Sequence, residues 1–567
     1  MPPTVSDTAP SAAPPAASPT VLTRPVRYPS DGGALLEHLT RAGQLRTTRN
    51  PADDNAAVRP VDCVLLESAD ITTKASRTTV AILEASARLT CWGGTVTAEA
   101  LDAVDGQGPG ADGLAALARL EESLAEHVTD RSPGRLTLTL PTSADDDPTL
   151  EERERLTALS TIEPLRVLAQ AEVDHPHLPL EAGAFAFDYL STFESLPEVA
   201  QGANTCPDYL FYDARIILVV DHPTREATLV GASVDTADLE RRMDALAAAI
   251  DSIDNPADVE APASSTDGAA SPVLHAVPTT SDVDFEAVVE EMRGYIADGD
   301  VYQVVPSRGF TIDCPDALAA YHVLRHANPS PYMFYLAAPD FELFGASPES
   351  ALLYSVRSGR VAIRPIAGTR PRGLHPDGSV DHERDTRLEL ELRTDAKEVA
   401  EHVMLVDLAR NDVARVSRPG TRSVQDLLRV DRYSRVMHLV SEVSGELADD
   451  LDALDAFRAS MTMGTLTGAP KLRAAELIRQ AEGVRRGSYG GSVGYIRGDG
   501  ELDTCIVIRS GFVTDGSALV QAGAGVVAAS SPAAEVAETV HKARAVLEAV
   551  AAAQGAALVI DQTDKEA

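Results

Sequence analysis

The sequence predicts an α+β fold, on three observations. In the first half, short apolar runs such as VDCVLLES, AGAFAFDYL and ARIILVVD alternate with helical patterns such as DLERRMDALAAAI. Between 488 and 527, the segments SVGYIRG, LDTCIVIRSGFV and ALVQAGAGVV are joined by the tight turns GDGE and TDGS, which predicts a meander of three antiparallel strands. A helix then follows, with Ser531 as N-cap, Pro532 at its first position and EVAETVHKARAVLEAV as its body.

With 567 residues, 44% hydrophobic and 24% charged, the chain can bury one large core or two to three ordinary ones. Its 49 Lys and Arg against 86 Asp and Glu give a net charge of -37, so neither nucleic acid nor an anionic membrane is an expected partner. The five cysteines, at 63, 91, 206, 314 and 505, form no C-x-x-C spacing, which argues against a disulfide framework or zinc knuckle and for a reducing, cytoplasmic location. The first twenty residues hold six prolines and no Lys or Arg, unlike a signal peptide, and no later run is apolar enough to span a bilayer.

Composition divides the chain into five parts. Residues 1–20 read as a disordered Pro/Ala-rich tail, 21–250 as an N-terminal domain, 251–281 as an acidic linker or loop, 282–550 as a second domain and 551–567 as a C-terminal tail. The linker lies in a window, 243–292, without any Lys or Arg.

Several side chains are candidates for chemistry. The helical segment RTDAKEVAEHVMLVDLARND places Glu398 and Glu401 on one face, and the C-terminal helix does the same with Glu535 and Glu538. Such carboxylates either point inward toward a hard cation such as Mg²⁺ or lie on solvated helix faces. Gly523, Ala524 and Gly525 of QAGAGVV offer backbone N–H groups to an anion, and Arg509 in the adjacent strand offers a carboxylate clamp. A glycine bulge and an edge arginine are the plainer reading of the same residues. His438 sits among apolar neighbours and reads first as a core histidine.

The C-terminal half also carries GDVYQVVPSRGF, NPSPYMFYL, FGASPES, RPIAGTRPRG, DRYSRVMHLVSEVSGEL, MGTLTGAPK, GSYGGSVGY and LDTCIVIRS, with LLESAD upstream. Together with the two segments above, this series, over roughly 60 to 550, resembles the chorismate-utilising enzymes and, within that family, the anthranilate synthase component I group. The resemblance implies a sandwich of two large antiparallel β-sheets with helices outside and the active site in a deep cleft. It implies Mg²⁺ as cofactor, with Glu401 and Glu538 as ligands. Chorismate contacts fall on Gly368, Thr369, Tyr489, Arg509 and the backbone of Gly523, Ala524 and Gly525. Glu349 matches the family's general acid, and His438 its active-site histidine, to which proton handling is assigned.

Two positions separate relatives. Isochorismate and salicylate synthases carry a water-activating lysine where Gln303 stands, and aminodeoxychorismate synthases typically carry an attacking lysine where Ala367 stands. The expected activity is therefore anthranilate formation from chorismate and ammonia, with release of pyruvate. Alternatives are an aminodeoxychorismate or isochorismate synthase, or a non-catalytic tryptophan-binding regulator. Ser68 with Pro331, Tyr332 and Met333 resembles the family's inhibitory tryptophan site. No cysteine lies in a G-x-C-x-G-like elbow and the chain ends soon after its last helix, so ammonia is expected from a separate glutamine amidotransferase subunit, in a heterotetramer.

Overall fold

The apolar runs singled out above become strands. In a computed structural model, which describes residues 19–49, 58–70, 73, 75–104, 106, 108–142, 151–253, 272–375, 379–433 and 436–561, they form Cys63–Ala69, Leu180–Phe185 and Tyr209–Asp221, and DLERRMDALAAAI lies in the helix Thr236–Asp251. Side chains alternate across these strands. Cys63 and Leu65 pack on helices, whereas Val64 joins an apolar cluster built from strand and connecting residues alone, including Ala182, Ala184, Leu210, Phe334, Leu336, Leu343 and Phe512. That cluster is the interior of a β-sandwich.

The two outer faces are covered separately. Helices Gly32–Arg41, Thr236–Asp251, Ala317–Ala327 and Pro532–Ala553 contribute to one helix-facing cluster, and Ala111–Ser123, Glu163–Ala169, Ala396–Val416 and Ala453–Ser460 to the other. The expected pair of sheets is joined edge to edge: among the described residues 23 strands form one hydrogen-bonded network that folds over on itself. Long strands make the fold-over possible. Ser76–Trp92 contributes Ala81 and Leu83 to the first outer cluster and Leu89 and Cys91 to the second, and its pairing with Tyr209–Asp221 shifts register between Asp213 and Ile217. Bulges of this kind bend a strand and let it serve both layers.

Strands from both sides of 251–281 pair directly, Leu65 opposite Tyr335 and Gly183 opposite Gly494, so the sheet spans the boundary read between 21–250 and 282–550. Residues 1–18, 254–271 and 562–567 lie outside the described residues. The described parts of the expected linker and C-terminal tail include two strands. Val273–Pro278 and Ala557–Ile560 are parallel strands whose Leu274, Leu558 and Ile560 pack on the first outer cluster. Averaging Pro, Ala and Ser over the whole segment hides the alternation in VLHAV.

The meander also differs from its reading. LDTCIVIRSGFV is two strands, Leu502–Ile506 and Ser510–Thr514, so the segment holds four, with Ser492–Arg497 and Ser517–Gly523. Leu502–Ile506 pairs with Ser350–Ser355, whereas Ser510–Thr514 pairs with Glu342–Ser347. The chain steps between them at Arg509, a non-glycine residue at φ 52°. The TDGS turn is a two-residue hairpin, with Asp515 at φ 50°, Gly516 at φ 77° and Thr514 opposite Ser517.

The inter-sheet cluster gives a direct stability test. Phe334 is 1% exposed at its centre, so Phe334→Ala is expected to cost about 3–5 kcal/mol in denaturant unfolding.

Candidate active site

Two helices bring their carboxylates together. Asp395 caps Ala396–Val416 by accepting from Lys397 N (3.0 Å) and Glu398 N (3.1 Å), which starts the helix one turn ahead of Glu401. Glu398 Oε1 accepts from Arg370 at 3.0 Å, and Glu401 Oε1 from Gln303 Nε2 at 2.8 Å. From the C-terminal helix Pro532–Ala553, Glu535 is buried and Glu538 pairs with Lys542 at 2.7 Å. Burial, then the neighbouring charge of Glu398 and, more weakly, Glu538, raises the Glu401 carboxyl. Burial opposes the charge on Glu538 too, but Lys542 outweighs it, helped by Arg509 and Lys397, and holds that carboxyl low. Mutually repelling carboxylates on facing helices are a hard-donor set suited to Mg²⁺.

The floor beside them is bare backbone. Lys542 Nζ donates to Gly523 O at 2.9 Å, tying the helix to QAGAG. A Cβ at Gly523 would come within 3.0 Å of the Tyr489 hydroxyl, and one at Gly525 within 2.8 Å of Gln303 Nε2 and 3.4 Å of Glu401 Oε1. A side chain at either position would crowd these groups. One expectation needs correction: Ala524 N–H donates to Pro306 O at 3.1 Å, so it is not free for an anion, because the chain continues to hydrogen-bond the neighbouring segment beyond the strand's end.

Two neighbouring strands break at the same level. Glu349 lies between Glu342–Ser347 and Ser350–Ser355, Arg509 between Leu502–Ile506 and Ser510–Thr514, and the breaks are stitched together by Ala346 N to Arg509 O (3.1 Å) and Ile506 N to Glu349 O (3.0 Å). Arg509, read from sequence as a mid-strand residue, therefore occupies a left-handed backbone position. Burial makes its charge costly, with Tyr489 and Glu538 the nearest compensating groups, and its guanidinium makes no hydrogen bond or ion pair among the described residues. An anionic ligand is what such a cation lacks. Burial pushes the Tyr489 hydroxyl up to about 12, so it remains a donor at neutral pH.

Glu349 itself is buried, with Ile366 N donating to Oε1 at 3.3 Å. Burial pushes its carboxyl up to about 8, so it carries a proton at pH 7. His438 stands opposite Thr369 on the strand pair Ile366–Pro371 and Val436–Glu446, where Gly368, at φ 79°, is the extra residue of a bulge between Ala367 and Thr369. Its Nδ1 lies 3.2 Å from Gly368 O and 3.0 Å from Thr369 Oγ1. A carbonyl only accepts, so Nδ1 carries the hydrogen and Nε2 keeps its lone pair. Burial lowers the ring to about 4, leaving it neutral. Ala367, opposite Leu439, presents a methyl group where a lysine would present an amine.

The other named set lies on a different strand pair. Cys63–Ala69 pairs with Tyr332–Ala337, Met333 opposite Glu67, and Ala69 N reaches Ser330 O at 3.2 Å, so Ser68 and Pro331, Tyr332 and Met333 are neighbours. Ser68 Oγ lies 2.7 Å from Thr78 Oγ1. Sequence reasoning passed over Lys542, although its i,i+4 spacing from Glu538 was visible, and Arg370, whose partners Asp395 and Glu398 are remote in sequence.

A family model described as chorismate binding enzyme matches residues 132–548. Anthranilate synthase component 1 of Escherichia coli is 48% identical over 498 residues, covering 87% of this chain and 92% of that one. Its counterpart from Vibrio parahaemolyticus is 48% identical over 499 residues, covering 87% and 88%. Among solved structures, anthranilate synthase component I from Streptococcus pneumoniae aligns at TM-score 0.59 and 28% identity, covering 83% of this chain and 92% of that one. The menaquinone-specific isochorismate synthase from Escherichia coli aligns at TM-score 0.59 over 94% and 95%, a likeness of fold alone at 17% identity.

The Glu349 carboxyl gives a pH signature. Its folded pKa lies above the ordinary 4.5, so the stability linked to its proton is complete below pH 4.5 and is lost as pH rises to about 8. Relative to Glu349→Gln, the unmodified protein is expected to lose up to about 1.4 kcal/mol per pH unit across that window in denaturant unfolding. A pH-independent difference between the two would contradict the assignment.

Proposed function

Because the chain belongs to the chorismate-binding enzyme family, we propose that it is the synthase component of an anthranilate synthase, converting chorismate and ammonia to anthranilate, pyruvate and water. The observation that carries this reading is the pairing of a guanidinium with no hydrogen-bond or ion-pair partner among the described residues, Arg509, with a protonated carboxyl, Glu349, across two stitched strand breaks. Chorismate is a dianion that must lose a hydroxyl, and it needs both.

In this reading Arg509 and the Tyr489 hydroxyl hold a substrate carboxylate, while Gly523 and Gly525 let the ring approach the backbone. Glu401 and Glu538 would hold Mg²⁺, which when bound would supply neutralisation of substrate negative charge. Ammonia adds at the ring carbon next to that carboxylate and loses a proton. The ring double bonds shift, and the 4-hydroxyl leaves as water with the proton of Glu349. Elimination then removes the ring proton at the aminated carbon and breaks the bond to the enolpyruvyl oxygen, giving anthranilate and pyruvate. His438 Nε2, unprotonated because Nδ1–H is held by Gly368 O, is the base we assign to this second step.

Gln303 and Ala367 argue against the rival outcomes. The Gln303 amide donates to Glu401 and has no basic nitrogen with which to activate water, and Ala367 has no amine to attack the ring. Ammonia is supplied by a glutamine amidotransferase partner, in a heterotetramer placed in the cytoplasm. The five cysteines are all buried free thiols, in keeping with a reducing compartment, and no helix among the described residues is long and apolar enough to cross a membrane. Tryptophan, the pathway product, inhibits from the site of Ser68, Pro331, Tyr332 and Met333.

Mass analysis of the products from chorismate, ammonium and Mg²⁺ tests this reading. Anthranilate and pyruvate are expected in equal amounts, and isochorismate or aminodeoxychorismate as the end product would overturn it. Glu349→Gln is expected to lower kcat about 10²–10⁴-fold with a smaller change in KM, the range for losing one general acid. Tryptophan is expected to inhibit the unmodified protein, and Ser68→Leu to raise the inhibitory concentration at least tenfold without changing kcat.

A further inference from the structure

A second cluster of ligating groups lies away from the carboxylates. Helix Ala317–Ala327 carries His322 and His326 one turn apart, with ring centroids 4.5 Å from each other. Asp31, the N-cap of helix Gly32–Arg41, faces both rings. His322 Nδ1 lies 3.6 Å from Asp31 Oδ1, and His326 Nε2 lies 3.4 Å from Asp31 Oδ2. Each of the three residues offers a ligand atom within 4.8 Å of the other two.

We propose that Asp31, His322 and His326 form a second metal site, for a borderline transition dication such as Zn²⁺. Nitrogen and oxygen ligands at about 2.0–2.2 Å from a tetrahedral ion stand about 3.3–3.6 Å apart, the spacing each histidine already keeps to one oxygen of Asp31, while the three ligand atoms together lie within 4.8 Å of one another. Imidazole nitrogen selects Zn²⁺, Ni²⁺ or Cu²⁺ over Mg²⁺, so the two sites would sort metals by hardness.

The supporting groups are also in place. The Nδ1–H of His326 donates to His322 O at 2.8 Å, which fixes the ring and leaves the Nε2 lone pair directed at Asp31. Asp31 is anchored by Ala34 N at 2.9 Å and by Arg325 at 2.8 Å. Arg325 does not cancel the site's charge, because its Nε also donates to Glu67 at 2.9 Å, leaving two carboxylates against one guanidinium. The His326 side chain is 50% exposed, which leaves a fourth coordination position open to water and gives the ion a way in.

The test is a Co²⁺ titration of the metal-stripped full chain in saturating Mg²⁺, read by the visible absorption of tetrahedral cobalt and by its displacement with Zn²⁺. One tetrahedral Co²⁺ per chain is expected, with affinity at least about 10-fold weaker in His326→Gln and in Asp31→Asn, which keeps an N-capping side chain. Glu401→Gln is expected to leave the signal unchanged. Absence of a tetrahedral spectrum in the unmodified protein, or binding equally strong in both variants, which would mark an adventitious ion only, would overturn the proposal.

Discussion

The break in the strand run 502–514 is the constraint on which the site depends. Leu502–Ile506 must pair with Ser350–Ser355 and Ser510–Thr514 with Glu342–Ser347, so the chain steps between them, and Arg509 takes a left-handed backbone position there. The neighbouring strand breaks at the same level and delivers Glu349. Other named positions repeat the pattern: Gly368 is a bulge, and Gly525 lies just past a strand's end. Side chains inside a regular strand point into a packed layer. Those at interruptions are free to face a cleft.

Electrostatics follow from this geometry. A chain with a net charge of -37 would repel a dianionic substrate at a generic surface point. The candidate site counters that locally with Arg509 and Lys542, and Lys542 also holds Glu538 charged. Glu349 and His438 share one environment, burial without a strong counter-charge, and it keeps both neutral at pH 7, one with a proton to give and the other with a lone pair. Opposite roles thus arise from a single physical cause.

Much of this was legible in the sequence, and what was missed has a common reason. Apolar alternation located the strands, and Ser531 with Pro532 located the start of the last helix. Helical spacing offered Glu398 and Glu401 as equals, because what distinguishes them, Arg370 on one and Gln303 on the other, comes from remote strands. Arg509 looked like a mid-strand residue because its flanks are apolar; only pairing with two different partners breaks the run. The strands Val273–Pro278 and Ala557–Ile560 were hidden because each gains stability from the other, 280 or so positions away.

The most direct test is a crystal structure of Glu349→Gln with chorismate and Mg²⁺, in which turnover is slow enough to trap the substrate. A chorismate carboxylate is expected within hydrogen-bonding distance of the Arg509 guanidinium, with the 4-hydroxyl facing position 349. Chorismate bound with Arg509 left without an anionic partner, or with the 4-hydroxyl turned away from position 349, would contradict the proposed function.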